Sequence, residues 1–137
     1  MGIEVHKLSI SAEVDKLPDV LAFIDTLLEE NGCPMKAQMQ IDVALEELFV
    51  NIAHYAYRGA VGGAEIRACV TPEYAEITLI DSGVPYDPLA KPDPDVTLSA
   101  EKRAIGGLGI YMTKKLMDNI SYEYAEGKNI LKIRKKL

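Results

Sequence analysis

Two pairs of strand-like segments in this chain are joined by turns too short for a parallel pairing. Residues 64–71 alternate, with Ala64, Ile66, Ala68 and Val70 on one face. Residues 75–81 follow after Pro72-Glu73-Tyr74, with Ile77 and Leu79 on one face and Thr78 and Ile80 on the other. Residues 120–125 and 129–135 make the second pair, turned at Glu126-Gly127-Lys128-Asn129. A parallel pair needs a crossover of about a dozen residues or more, so both pairs are expected as antiparallel hairpins. Residues 2–10 alternate loosely at Ile3, Val5, Leu8 and Ile10 and predict a further strand.

The remaining patterned segments are helical. Val14, Leu17, Val20, Leu21, Ile24, Leu27 and Leu28 form one stripe. Ser11 or Asp15 is expected to cap it, Pro18 fits its first turn, and Asn31-Gly32 closes it. A second helix opens at Pro34, carries Ile41, Ala44, Leu45, Leu48 and Ile52 toward the core, and runs to about Tyr57. A third covers 108–118 with Ile110, Tyr111, Met112, Leu116 and Met117. Helices collected on one face of a mainly antiparallel sheet make a two-layer α/β (α+β) sandwich. Lys128, Lys132, Arg134, Lys135 and Lys136 on the last strand read as a solvated edge.

At 137 residues the chain has the length of one domain, spanning 1–137. Its net charge of −6 argues against holding nucleic acid by charge. No apolar run approaches the roughly 18 residues that span a bilayer. The start, Met1-Gly2-Ile3-Glu4-Val5-His6, has no basic segment leading into an apolar one. A cytoplasmic chain without a membrane role is the expectation. Cys33 and Cys69 are far apart and give neither a metal spacing nor a disulfide framework.

Three places carry chemistry. On the second helix, Glu47, Asn51 and His54 fall four and three apart and form one line. The line lies roughly 115° from the centre of the apolar stripe at about 100° per residue. Val43 and Val50 flank it on one side and Ala44 on the other, so it is expected to face a partly enclosed, polar-lined space. Its side chains either bridge neighbouring backbone or hold an oxygen-seeking cation such as Mg²⁺. Asp81-Ser82-Gly83 ends a strand, which marks either a turn or a contact to a base. In the second case the carboxylate accepts from an exocyclic amine and Gly83 lets a flat ring approach the backbone. Residues 84–104 hold Pro85, Pro88, Pro92 and Pro94 and no sustained period. Loops of that length are mostly functional lids or disordered. This one ends at Gly106-Gly107-Leu108-Gly109, just before a helix, with Lys102 and Arg103 ahead of it. Such a loop is either a hinge or a phosphate cradle, since free N–H groups and the helix dipole attract anions. Taken in order, the three supply a metal ligand, a base contact and a phosphate cradle, which together describe one nucleotide site under a lid.

With these residues in place the chain resembles the GHKL (Bergerat-fold) ATPases, and within them the small anti-sigma-factor serine/threonine kinases. Glu47-Leu48-Phe49-Val50-Asn51-Ile52-Ala53-His54 is similar to the N-box, Asp81-Ser82-Gly83-Val84-Pro85 to the G1 box, and Gly106-Gly107-Leu108-Gly109-Ile110-Tyr111 to the G2 box. The resemblance implies a Bergerat-type mixed, mainly antiparallel sheet with an ATP lid at about 84–106. It makes Glu47 the general base, Asn51 the Mg²⁺ ligand and Asp81 the partner of the adenine amine. It adds Gly83, Arg103, Gly106, Gly107, Leu108 and Gly109 to the nucleotide site. His54 recurs in such boxes and is read as structural. The family often places Thr after the glycine of the last hairpin, where Lys128 and Asn129 stand here.

The implied activity is transfer of the γ-phosphoryl of Mg-ATP to Ser or Thr of a STAS-type anti-anti-sigma protein. The implied second partner is a sigma factor, bound in alternation, and the family also suggests a homodimer. The alternative is a module that binds ATP and sequesters a regulator without catalysis. The ATP-binding domain of a two-component histidine kinase is disfavoured, because it works beside a dimerising helical segment with a phosphoacceptor His.

Overall fold

In the computed structural model, which describes residues 4–58, 60–90 and 107–137, the short turns do make antiparallel hairpins. The strands are β1 (His6–Ser11), β2 (Gly63–Val70), β3 (Tyr74–Asp81), β4 (Asn119–Ala125) and β5 (Lys128–Lys136). They form one five-stranded sheet in the order β1-β2-β3-β5-β4. Every pairing among the described residues is antiparallel. Glu126 (φ 54) and Gly127 (φ 77) turn β4 into β5, the double left-handed geometry that matches the twist of a hairpin.

The helices are α1 (Leu17–Glu30), α2 (Met35–Tyr55) and α3 (Gly107–Leu116). The α1 stripe buries Val20, Ile24, Leu27 and Leu28. The α2 stripe buries Ile41, Ala44, Leu45, Leu48, Phe49 and Ile52. Both meet Ile66, Ala68, Ile77, Leu79, Leu131 and Ile133 of the sheet in one core. Burying each large aliphatic side chain contributes roughly 1.5–3 kcal/mol, so this shared layer holds the helices on the sheet.

Two local expectations need correction. No side chain caps α1: a 3₁₀ turn at Val14–Lys16 leads into it, and Ser11 Oγ donates instead to Glu13 Oε2 at 2.7 Å. At the other end Gly32 (φ 73) closes α1 as expected, and Asn31 Nδ2 donates to the Leu27 carbonyl at 2.8 Å. The basic strand is not an edge, because β5 lies between β3 and β4. On the solvent-facing side of the sheet Lys132 and Arg134 both reach Glu76 (3.7 and 3.4 Å), while Lys135, on the helix-facing side, donates to the Leu116 carbonyl at 2.9 Å. Among the described residues no helix is long and apolar enough to cross a membrane.

The seam between α1 and α2 carries an acidic pair. Asp25 Oδ1 and Asp42 Oδ1 are buried without a hydrogen-bond partner among the described residues. Burial, then the neighbouring Asp25 carboxylate and the charge of Glu29, pushes the Asp42 carboxyl from 3.8 up to about 7. The native chain therefore keeps a proton there that the unfolded chain loses at lower pH. This stabilisation is full below about pH 4 and is lost as the pH rises through about 7. Asp42→Asn, whose amide can donate to Asp25 at any pH, is expected to match the wild type at pH 5 and to melt several degrees higher at pH 8. Melting curves that stay parallel across that range refute the retained Asp42 proton.

Candidate functional site

Through their middles the inner faces of β3 and β5 are apolar, and they turn polar where β3 ends and β5 begins. On β3 the inward series is Ala75, Ile77, Leu79 and then Asp81, and on β5 it is Ile133, Leu131 and then Asn129. Asp81 and Asn129 are register partners, and both are buried. A buried carboxylate and a buried amide need partners, and here they find each other: Asn129 Nδ2 donates to Asp81 Oδ1 at 2.9 Å. The Gly83 amide donates to the same oxygen at 2.9 Å. Asn129 Nδ2 also donates to the Val84 carbonyl at 2.8 Å, and its Oδ1 accepts from the Tyr86 amide at 3.1 Å and from the Tyr122 hydroxyl. Burial pushes the Tyr122 phenol up, which keeps that donor protonated.

Above this network lies a narrow cavity of about 40 Å³, room for a few waters. α2 lines it with Leu48, Asn51, Ile52 and Ala56, the sheet with Leu79, Asp81, Tyr122, Asn129 and Leu131, and the following segment with Val84, Tyr86 and Pro88. Apolar walls around one buried carboxylate suit a flat heterocycle with a donor on its edge. The first residues of the expected lid are thus part of the cavity wall, with a short 3₁₀ turn at Pro88–Ala90. Residues 91–106 lie outside the described residues, and Arg103 and Gly106 lie among them.

The polar line on α2 divides between two spaces. Asn51 lines the cavity with Asp81, and its Nδ2 donates to Glu47 Oε1 one turn away at 3.3 Å. Glu47 lines a neighbouring groove with Val43, Glu46, Val50, Gly109 and Met112, of which Val43 and Met112 are exposed. His54 lies beyond both and is exposed, edge-on to Tyr55. A Cβ at Gly109 would lie 2.1 Å from Glu47 Cδ and 2.2 and 2.3 Å from its two carboxylate oxygens. The space a side chain would take at the start of α3 is therefore filled by the Glu47 carboxylate. Thr113, fully buried, donates back to the Gly109 carbonyl at 2.9 Å and fixes that turn. Gly107 and Leu108 form the first residues of α3.

Gly83 is close to something other than a ligand. A Cβ there would lie 2.2 Å from the Ala56 carbonyl oxygen, and the Val84 amide donates to that oxygen at 2.8 Å. The glycine admits the end of α2 against the end of β3. Tyr57 holds the same corner. Its hydroxyl accepts from the Ser82 amide at 2.9 Å and donates to the Gly63 carbonyl, and its ring fills the place of a Cβ at Gly62.

Sequence reasoning marked Asn129 only as a departure from the family's usual Thr, and it passed over Tyr122, Tyr86 and Tyr57. For Asn129 a signal existed, since it is in phase with Leu131 and Ile133, so a polar residue interrupts an inward series. Among the described residues no group of three or more His, Cys, Asp or Glu is placed to hold a metal ion. Asn51 Oδ1 is the atom that could face an oxygen-seeking cation, because its amide nitrogen is directed at Glu47.

The family model for the histidine kinase-like ATPase domain matches residues 10–135. The serine-protein kinase RsbW of Listeria monocytogenes serovar 1/2a is 26% identical over 105 residues, 73% of this chain and 67% of the relative. RsbW of Bacillus cereus (strain AH187) is 32% identical over 93 residues, 65% of this chain and 58% of the relative. The matches thus span about three-fifths to two-thirds of those relatives' length. Among solved structures, the RsbU and RsbW domains of Rv1364c from Mycobacterium tuberculosis share the fold, with a TM-score of 0.70 at 16% identity. That likeness covers 98% of this chain and 32% of the other.

Proposed function

The chain belongs to the histidine kinase-like ATPase domain family as an RsbW-like member, and from that premise we propose that it is an anti-sigma-factor serine/threonine protein kinase. It binds Mg-ATP, phosphorylates a Ser or Thr of a STAS-type anti-anti-sigma protein, and holds a sigma factor in alternation with that protein. It does so as a cytoplasmic regulator of transcription, with homodimerisation part of the same reading. The observation that carries this reading is the placement of two carboxylates: Asp81 is buried at the floor of the cavity, and Glu47 lies in the adjoining groove. Asn51 stands between them on α2.

The adenine enters by spreading the apolar walls of this cavity, and its amine donates to Asp81. Gly83 holds that strand end in place. The triphosphate then runs toward α3, whose first residues, Gly107, Leu108 and Gly109, present backbone N–H groups at a helix start. By the family resemblance alone, Arg103 and Gly106 would add further phosphate contacts. Asn51 Oδ1 would hold Mg²⁺, which would supply charge neutralisation at the phosphates. Glu47 is half-buried in a groove open to solvent, so a hydroxyl on another protein can reach it. Glu47 takes the hydroxyl proton as that oxygen forms its bond to the γ-phosphorus. The bond from the γ-phosphorus to the bridging oxygen breaks, and ADP leaves with the electron pair. Most of the catalysis is positioning and charge stabilisation.

Titration calorimetry with Mg-ATP is expected to show binding by the wild type, about tenfold weaker binding by Asn51→Ala, and unchanged binding by Glu47→Gln. Transfer of labelled γ-phosphate to a STAS-domain acceptor is expected to fall about 100-fold or more in Glu47→Gln. A wild-type chain that binds no Mg-ATP overturns the nucleotide site. Transfer by Glu47→Gln at the wild-type rate removes Glu47 as the base.

A further inference from the structure

We propose that Asn129 is a positioning residue that sets which base the cavity accepts, by holding the Asp81 carboxylate in one orientation. The proposal rests on the nucleotide-site reading above and adds a residue that the motifs do not contain.

An asparagine side chain has two N–H donors and one carbonyl oxygen with room for two bonds. In Asn129 all four are used within the protein: by Asp81 Oδ1 and the Val84 carbonyl on the nitrogen, and by the Tyr86 amide and Tyr122 hydroxyl on the oxygen. The amide cannot be turned over. Turning it would set its oxygen against a carboxylate and a carbonyl, and its nitrogen against two donors. Asn129 is buried and fully satisfied, so it has no bond left to offer a nucleotide. It acts through its neighbour.

That neighbour is clamped on one side. Among the described residues both hydrogen bonds to the Asp81 side chain fall on Oδ1, from Gly83 and from Asn129. Rotation of the carboxylate would break both. Oδ2 is left as the acceptor for a ligand, and an ionised carboxylate can only accept. A fixed acceptor selects a base that offers a donor at that point, as adenine does with its 6-amine. A carboxylate free to turn would read that position poorly. The same amide ties down Val84 and Tyr86 from the cavity wall, which couples the shape of the pocket to its acceptor.

The test compares ATP with purine riboside triphosphate, which lacks only the 6-amine. The wild type is expected to prefer ATP by about tenfold or more, the usual effect of a hydrogen bond to a charged group. In Asn129→Ala that ratio is expected to collapse toward one. A purely structural role would weaken both nucleotides equally and leave the ratio intact, and that result overturns the proposal. If Asn129→Ala does not fold, Tyr122→Phe decides, since it keeps the ring and removes only the hydroxyl donated to Asn129. Its ratio is expected to fall about threefold, and an unchanged ratio overturns the proposal. Binding of neither nucleotide by the wild type overturns the underlying reading and this inference with it. A wild-type preference that persists in the folded variant overturns this inference alone.

Discussion

Gly109→Ala is expected to stop phosphoryl transfer while leaving the fold as stable as before or more so. Residue 109 lies in the first turn of α3, where alanine is favoured over glycine by roughly 0.5–1 kcal/mol. The added Cβ would lie within 2.1–2.3 Å of three atoms of the Glu47 carboxyl group, a distance no real contact tolerates. What must move is the far end of a flexible side chain, so the clash is relieved by swinging Glu47 away rather than by unfolding. Glu47 then loses its 3.3 Å contact with Asn51 and its place in the groove. Misplacing a reacting group by about 1 Å can cost 100-fold in rate, so transfer to a STAS-domain acceptor is expected to fall by at least about that factor. Mg-ATP affinity is expected to stay within about threefold of the wild type, because the Asp81 cavity is untouched. A thermal melt, a calorimetric titration and a transfer assay on one preparation check all three. Transfer at the wild-type rate would mean that the productive position of Glu47 is not the one beside Gly109.

The backbone plan was legible because local chemistry fixes most of it. The Glu126-Gly127 turn admits few geometries, and the stripes of α1 and α2 are long enough to leave no doubt of their period. Asn31-Gly32 closes α1 by a standard left-handed cap. Pairing across the sheet was less legible. The lysines of β5 suggested an edge, but edge character depends on which strands lie alongside, and the sequence of one strand does not state that. At the site, spacing on α2 was enough to bring out Glu47 and Asn51, because helical period converts directly into direction. The Asp81–Asn129 network was not visible, since its members are 48 positions apart and meet only through the β3–β5 register. His54 followed the same period as Glu47 and Asn51, yet it is exposed because the line runs out of the enclosed region before reaching it.

Gly83→Ala separates two reasons for the same glycine. If the residue is there to let a base approach the backbone, adding a methyl group should spare the fold and weaken ATP. If it is there to admit α2, the fold itself should fail. The distances favour the second outcome: a Cβ would lie 2.2 Å from the Ala56 carbonyl oxygen and 2.6 Å from both its carbonyl carbon and its Cβ. Two of these are backbone atoms at the end of a 21-residue helix, so no side chain can swing aside. Retreat of that end would break the 2.8 Å bond from the Val84 amide and loosen the 2.9 Å bond from Gly83 to Asp81. Overpacking against backbone places this change at about 3 kcal/mol or more, a fall in melting temperature of roughly 10 °C for a domain of this size. Gly32→Ala provides the comparison. Its φ of 73° strains any side chain, but a Cβ there meets nothing within 4 Å, so its cost should stay near 1 kcal/mol. Equal melting temperatures for the two variants would mean that α2 yields easily at its end and that Gly83 serves the ligand. A much lower value for Gly83→Ala would mean that the G1-like glycine first joins a helix to a strand, and only through that joint shapes the place where Asp81 meets a base.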